Sequence, residues 1–402
     1  MVTALLASGG VLALLGIALI VLEVRRRHMQ QWITSYLLSV GERRAPRPGE
    51  AVHLILCLAD HYEPKWNHAS AELACERVRR WQEDYPRLFA AFRDADGRPP
   101  QHTFFFPLEE YEPEHVDRLA RLCRAGYGEV EVHLHHDGDT AAALREKILQ
   151  FKERLADRHG LLSRDRNSAE LAYGFIHGNW ALDNSRPDGR WCGVNNELDV
   201  LRETGCYADF TLPSAPSPTQ TRKINSIYYA VDDPLRPKSH NTGVDAGGGR
   251  RVPPGSLMLI QGPLVLDWSR RKWGLLPRLE NACIQANQEP SESRLRLWLS
   301  ARIQVPDRPD WFFVKLHTHG AKETNQAILL GEPMVRFHRS LRELATQNAD
   351  FHYHYVTSRE MFNLVRAAES GWKGSIADAR DFQLISNLRP ALVAETTKAA
   401  PT

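Results

Sequence analysis

Four short stretches of the chain gather residues that could hold a metal ion or move a proton. They are Asp60-His61-Tyr62-Glu63-Pro64, the run from Glu129 to Asp139, Gly174 to Trp180 with Asp183 following, and Phe313 to Gly320. The second contains His133-Leu134-His135-His136-Asp137-Gly138-Asp139 and the fourth His317-Thr318-His319. Neutral imidazole and carboxylate together suit Zn²⁺ and neighbouring divalent ions. Two His-x-His pairs, joined by an Asp-His pair, point to a hydrolytic metal site. Taken singly, the first stretch also reads as a capped turn ended by Pro64, and the third as an ordinary turn. In a binding loop, Trp180 would stack on a sugar and Asn179 would hydrogen-bond it. His177 and His319 complete the expected substrate contacts.

Alternation along a strand places Glu129, Glu131, His133 and His135 on one face and Val130, Val132 and Leu134 on the other. Two acids and two imidazoles on one face are costly to bury without partners. A metal ion or a hydrogen-bonded network removes that cost, and a solvated face is the remaining alternative.

All four stretches end apolar runs that read as strands. Such runs occupy Val52–Leu58, Thr103–Pro107, Glu129–His135, Ala172–His177, Ala208–Leu212, Leu257–Gln261, Trp311–His317 and His352–Tyr355. Helical periodicity covers Ser70–Ala95, with Ser70 as N-cap and a break at Pro86, and then Pro113–Arg124, Thr140–His159, Asn195–Thr204, Gln326–Gln347 and Ser358–Glu369. Strands alternating with helices predict βαβ units and a parallel sheet, and their number in one run favours a barrel. Barrels of this type place active sites where strands end. Leu212–Arg251, rich in Pro, Ser and Gly, reads as a long irregular active-site wall.

The flanks read differently. Val2–Leu22 carries no charge and is followed by Arg25, Arg26, Arg27 and His28. That order predicts a single membrane-spanning helix over residues 1–28, with the basic cluster and the catalytic domain on the cytoplasmic side of a cell membrane. Residues 29–50 would form a juxtamembrane helix and linker, 51–372 the barrel, and 373–402 an extension with a disordered end. The net charge of +2 argues against nucleic acid as an obligatory partner. No pair of the six cysteines has CxxC spacing, which argues against a cysteine-based zinc site, and a reducing compartment fits.

The order of these motifs resembles that of the polysaccharide deacetylase family. The resemblance implies an α/β fold with a distorted (β/α)7-type barrel, here preceded by the membrane helix. It implies a metal-dependent hydrolase that removes an N-acetyl or similar acyl group from a polysaccharide or lipid-linked glycan. By the same resemblance, Asp60 is the catalytic base and His317 the general acid. His61, His135 and Asp139 hold the divalent metal, with Zn²⁺ the leading choice, and spacing alone adds His133 to the ligands. The family's Arg-x-Pro motif is absent; Phe175-Ile176-His177-Gly178-Asn179-Trp180 stands in its place. Which of Asp60 and His61 is base and which is ligand stays open, and His136 and Asp137 are within reach of the same ion. Two further readings are a phosphoesterase or amidohydrolase with several metals, and a non-catalytic glycan-binding barrel.

Overall fold

The computed structural model describes residues 16–39, 44–47 and 49–388. Its strands are β1 (Val52–His61), β2 (His102–Pro107), β3 (Gly128–Leu134), β4 (Ser163–Asp165), β5 (Leu171–His177), β6 (Cys206–Asp209), β7 (Ile227–Val231), β8 (Val244–Asp245), β9 (Ser256–Ile260), β10 (Val265–Lys272), β11 (Leu276–Glu280), β12 (Cys283–Ile284), β13 (Trp311–Thr318), β14 (Phe351–Val356) and β15 (Leu384–Ser386). Its helices are α1 (Ile33–Ser39), α2 (Ala71–Phe89), α3 (Pro113–Leu122), α4 (Ala141–Glu153), α5 (Glu197–Glu203), α6 (Glu292–Ser300), α7 (Glu323–Leu329), α8 (Glu332–Gln347), α9 (Ser358–Glu369) and α10 (Ile376–Ala379). Ser70 caps α2 by accepting from the Leu73 N–H, and Pro86 lies inside that helix without ending it.

One large, mostly parallel sheet organises the chain, in the order β12-β13-β1-β2-β3-β5-β6-β9-β7-β8. Its faces follow from alternation. Leu54, Leu56 and Leu58 of β1, with Val130 and Val132 of β3, join an outer core with α2, α3, α4 and α8. Ile55, Cys57 and Ala59, with Phe105, Ile176, Phe210 and Phe313, form an inner core against α9. Both faces are covered, so β1 and β13 are apolar over most of their length.

The ladder is an open path. β13 spends its second edge on β12, and β9 spends its own on the antiparallel strand β7. No ladder therefore joins β9 to β13, and the expected distorted (β/α)7-type barrel is corrected to a mixed α/β fold with a large, mostly parallel sheet. The two strands approach across a seam. The Lys315 ammonium donates to the Phe210 and Leu212 carbonyls, and the Gly262 N–H shares the Leu212 oxygen at 3.1 Å. A Cβ on Gly262 would stand 2.3 Å from the Lys315 carbonyl oxygen, so only glycine fits there. The segment expected to be an irregular wall supplies β7 and β8.

The expected membrane helix is also corrected. Residues 1–15 lie outside the described residues. From residue 16 the chain is helical only to residue 26, and His28 then turns it with a positive φ into Met29–Gln31. Among the described residues no helix is long and apolar enough to cross a membrane. Charge enters that helix at Glu23, which pairs with Arg26, Arg27 and Lys272 of β10. Trp32 is buried against Ala215, Ile224, Leu264 and Leu266, so this stretch packs on the sheet domain. The expected membrane localisation is corrected on the same ground, that no described helix supplies the span. At the other end, α10 and β15 pack on the domain, and 389–402, which hold the expected disordered end, lie outside the described residues.

Candidate metal centre

Three residue pairs with one spacing meet at the C-terminal ends of neighbouring strands of the sheet, with β2 between the first two: His61 and Glu63 at the end of β1, His133 and His135 at the end of β3, and His317 and His319 at the end of β13. His61, His133 and His317 stand on the inner face because they alternate in step with Ala59, Glu131 and Phe313. Glu63 holds the centre. Its Oε1 lies 3.4 Å from His133 Nε2 and 3.1 Å from His135 Nε2. Donor atoms of His61, Glu63 and His133 all lie within 4.8 Å of one another. Bonds of about 2.0–2.2 Å to one tetrahedral ion space its ligand atoms roughly 3.4 Å apart, so the group has the right size for one ion. The His61 ring stacks on His319 at 4.7 Å and lies 4.6 Å from Trp180. Trp180 in turn meets His317 edge-on at 5.2 Å.

The proton positions are informative. His133 Nδ1 lies 3.0 Å from the Ile176 carbonyl, which can only accept, so Nδ1 carries the proton. Nε2 then faces the Glu63 carboxylate, either donating a proton to it or turning a lone pair toward it. In the second case two acceptors face each other and need a positive charge between them. Neither ring nitrogen of buried His61 has a hydrogen-bond partner, and Glu63 Oε2 and His317 Nδ1 have none either. Unpartnered buried polar atoms of this kind are costly unless something fills the space.

Burial drives His61 well below its ordinary pKa, helped by the neighbouring His319, His133 and His317. His317 is lowered in the same way by burial and by the Lys315 charge. Both are neutral and available as lone-pair donors near pH 7. Burial works against ionisation of Glu63, but bonds from His133 and His135 outweigh it and keep it a carboxylate. His135 goes the other way. Burial opposes its charge, yet bonds to Glu109 and Glu63 raise it to about 10. Gly178 leaves room for that ring: a Cβ there would come within 2.4 Å of His135 Cδ2. Trp180 is held at φ +60°, a strain of about 1 kcal/mol or more of the sort found at binding sites.

The inner face is polar further down, and there hydrogen bonds suffice. Glu129 is held by Thr357 and Arg359. Glu131 accepts from the Tyr207 hydroxyl and the Gly174 N–H, and burial still pushes it up to about 8.

The expected site residues separate into two groups. His61, His133, His135, Trp180, His317 and His319 come together. Asp60 does not join them, because it faces the outer core beside Leu58. Its Oδ1 accepts from the Gly320 N–H at 2.6 Å and its Oδ2 from His102 at 2.8 Å. Asp139 also lies elsewhere, paired with Lys147 at 2.8 Å. His177 points to the outer face, where its Nδ1 accepts from the Asn179 N–H at 3.2 Å. Glu63 is the functional residue missed in the sequence, although it has the same i, i+2 relation to His61 as the two His-x-His pairs.

A second buried group on the outer face comprises His136, His177, Cys192 and Glu197, with donor atoms within 4.8 Å of one another. Buried His and Glu, with Cys in the second group, are thus arranged so that they could hold a metal ion. A third group, Asp94, Asp96 and His354, already surrounds the Arg380 guanidinium, which supplies its positive charge. No family model and no curated protein matches the chain.

Proposed function

We propose that the chain is a metal-dependent hydrolase that removes an N-acetyl or similar acyl group from a polysaccharide, with one divalent ion, Zn²⁺ first among the candidates, on His61, Glu63 and His133. The observation that supports this reading is the facing of His133 Nε2 and Glu63 Oε1 at 3.4 Å, with His133 Nδ1 committed to Ile176 and both His61 nitrogens bare. The ion, once bound, supplies Lewis acidity at the acyl carbonyl. His135, charged between Glu109 and Glu63, fixes the carboxylate. Neutral His317 takes a proton from the attacking water and passes it to the departing amine as the C–N bond breaks. The base role expected of Asp60 thus moves to His317, since both Asp60 oxygens are engaged on the other face. Trp180 and half-exposed Trp66 offer flat apolar surfaces for sugar rings. A lipid-linked substrate rested on the membrane helix and is not retained. A two-metal phosphoesterase needs its ions about 3.5–4 Å apart, whereas the two histidine groups are separated by the sheet.

The test is metal analysis of the purified full chain, followed by acetate release from N-acetylated oligosaccharides. His61→Ala is expected to lose one metal equivalent and all acetate release while keeping its circular dichroism spectrum. A metal-loaded wild type that releases no acetate or other acyl group would overturn the reading. A wild type that binds sugar but no metal would support a non-catalytic glycan-binding protein instead.

A further inference from the structure

The group on the outer face has no part in that chemistry, yet its side chains are arranged as metal ligands are. We propose that His136, Cys192 and Glu197 form a second, closed metal site for a thiolate-binding divalent ion of the zinc class. Glu197 is fully buried. Its Oε1 lies 3.1 Å from His136 Nε2 and its Oε2 3.3 Å from Cys192 Sγ.

Cys192 and Glu197 have the outer partners that fix a metal ligand in place, and His136 has a carboxylate nearby. His136 Nδ1 makes no hydrogen bond; the Asp139 carboxylate, anchored by Lys147, stands 3.4 Å from it. Cys192 Sγ receives backbone N–H groups from Asn184 at 3.3 Å and Val194 at 3.5 Å, the donors that stabilise a thiolate. Glu197 Oε2 receives the Asp183 N–H at 2.5 Å. His177 Nε2 is buried without a partner and points into the group, 3.9 Å from Glu197 Oε1. Because its Nδ1 accepts from Asn179, Nε2 carries the proton and turns it toward the Glu197 carboxylate. His177 is therefore a positioning residue here and not a ligand.

The charges also match. One thiolate and one carboxylate neutralise a divalent ion, so the bound site can be buried at little electrostatic cost. Soft sulfur with imidazole and carboxylate selects zinc over magnesium or calcium. Binding displaces the Cys192 proton to solvent. The three ligands come from the turn after β3, from the loop before α5 and from α5 itself. The ion would staple these segments together and hold the loop that begins with Asn179 and Trp180.

The full chain, stripped and reloaded with Co²⁺, should bind two ions and show the thiolate-to-cobalt charge-transfer absorption in the near ultraviolet. Cys192→Ser should lose that band and one equivalent. Glu197→Gln, nearly the same shape, should also lose one equivalent. His133→Ala should lose the other equivalent and keep the band. This pattern separates the proposal from the hydrolase reading, which acetate release tests. Absence of the band in Co²⁺-loaded wild type, or a band that survives in Cys192→Ser, would overturn it. The wild-type spectrum does not depend on whether any variant folds.

Discussion

The two histidine groups share almost the same chemistry and stand on opposite faces of one sheet. At the inner group, His135 and His319 reach partly exposed positions and Trp66 and Trp180 form a rim, so a substrate can approach. At the outer group, His136, Cys192 and Glu197 are all buried, and Cys192 and Glu197 receive backbone N–H groups. Closed sites hold structure, while catalytic sites keep a position open to water or substrate. The face on which a histidine emerges therefore decides its role. That face is set by one residue of register: His177 follows Ile176 to the outside, while His133 follows Val132 to the inside.

The largest expected effect breaks the comparison if it fails. His317→Ala should lower kcat by about 10²–10⁴ with metal content unchanged, as for loss of a general acid–base. Cys192→Ser should leave kcat of the folded fraction unchanged while lowering Tm. Equal losses of kcat in both variants would mean that the two faces do not divide the work.

A histidine outside both groups calibrates what burial alone does. His338 is fully buried and lowered to about 3 by burial, with its Nδ1 on the Tyr355 hydroxyl. Its folded pKa lies below its unfolded value of 6.5. The unfolded chain therefore binds more protons between those values. The stability contribution is complete above about pH 6.5 and is lost as pH falls toward 3, to a total on the order of 4–5 kcal/mol at about 1.4 kcal/mol per unit. His338→Gln should flatten the acid limb of a stability-against-pH curve of metal-free protein. An unchanged limb would assign acid sensitivity to the two groups themselves.

The smallest effect concerns Asp60. Asp60→Asn should cost about 1–3 kcal/mol of stability through weakened bonds to His102 and Gly320, with kcat unchanged. A collapse of kcat with normal stability would return Asp60 to the catalytic role.

These assignments show where the sequence was legible. On β3, acids and imidazoles alternate with Val130, Val132 and Leu134, so the polar face could be read directly. On β1 both faces are apolar, Leu54, Leu56 and Leu58 against Ile55, Cys57 and Ala59. Nothing local tells whether Asp60 or His61 turns inward, and the family resemblance favoured Asp60 as the catalytic residue. Glu63 was visible only as part of a turn, because its value lies in sharing the spacing of His61 with the other two pairs. Cys192 reaches its group through an irregular loop, where no periodicity marks it, and Glu197 opens α5, where helical periodicity marks the helix and not the ligand. The parallel order of the main strands followed from alternating elements. The open seam did not, because it depends on β7 and β12 occupying edges that strand counting leaves free.

The seam has a consequence for motion. Strand β13 faces the seam over its middle, where the Lys315 ammonium reaches the Phe210 and Leu212 carbonyls, and is laddered to β12 at its C-terminal end, where His317 stands. Amide protons along this edge should exchange with solvent sooner than those where β13 adjoins β1. The end of the strand that carries His317 is held on both sides, by β1 and by β12, so the group that moves the proton keeps its place when a sugar chain settles onto the rim.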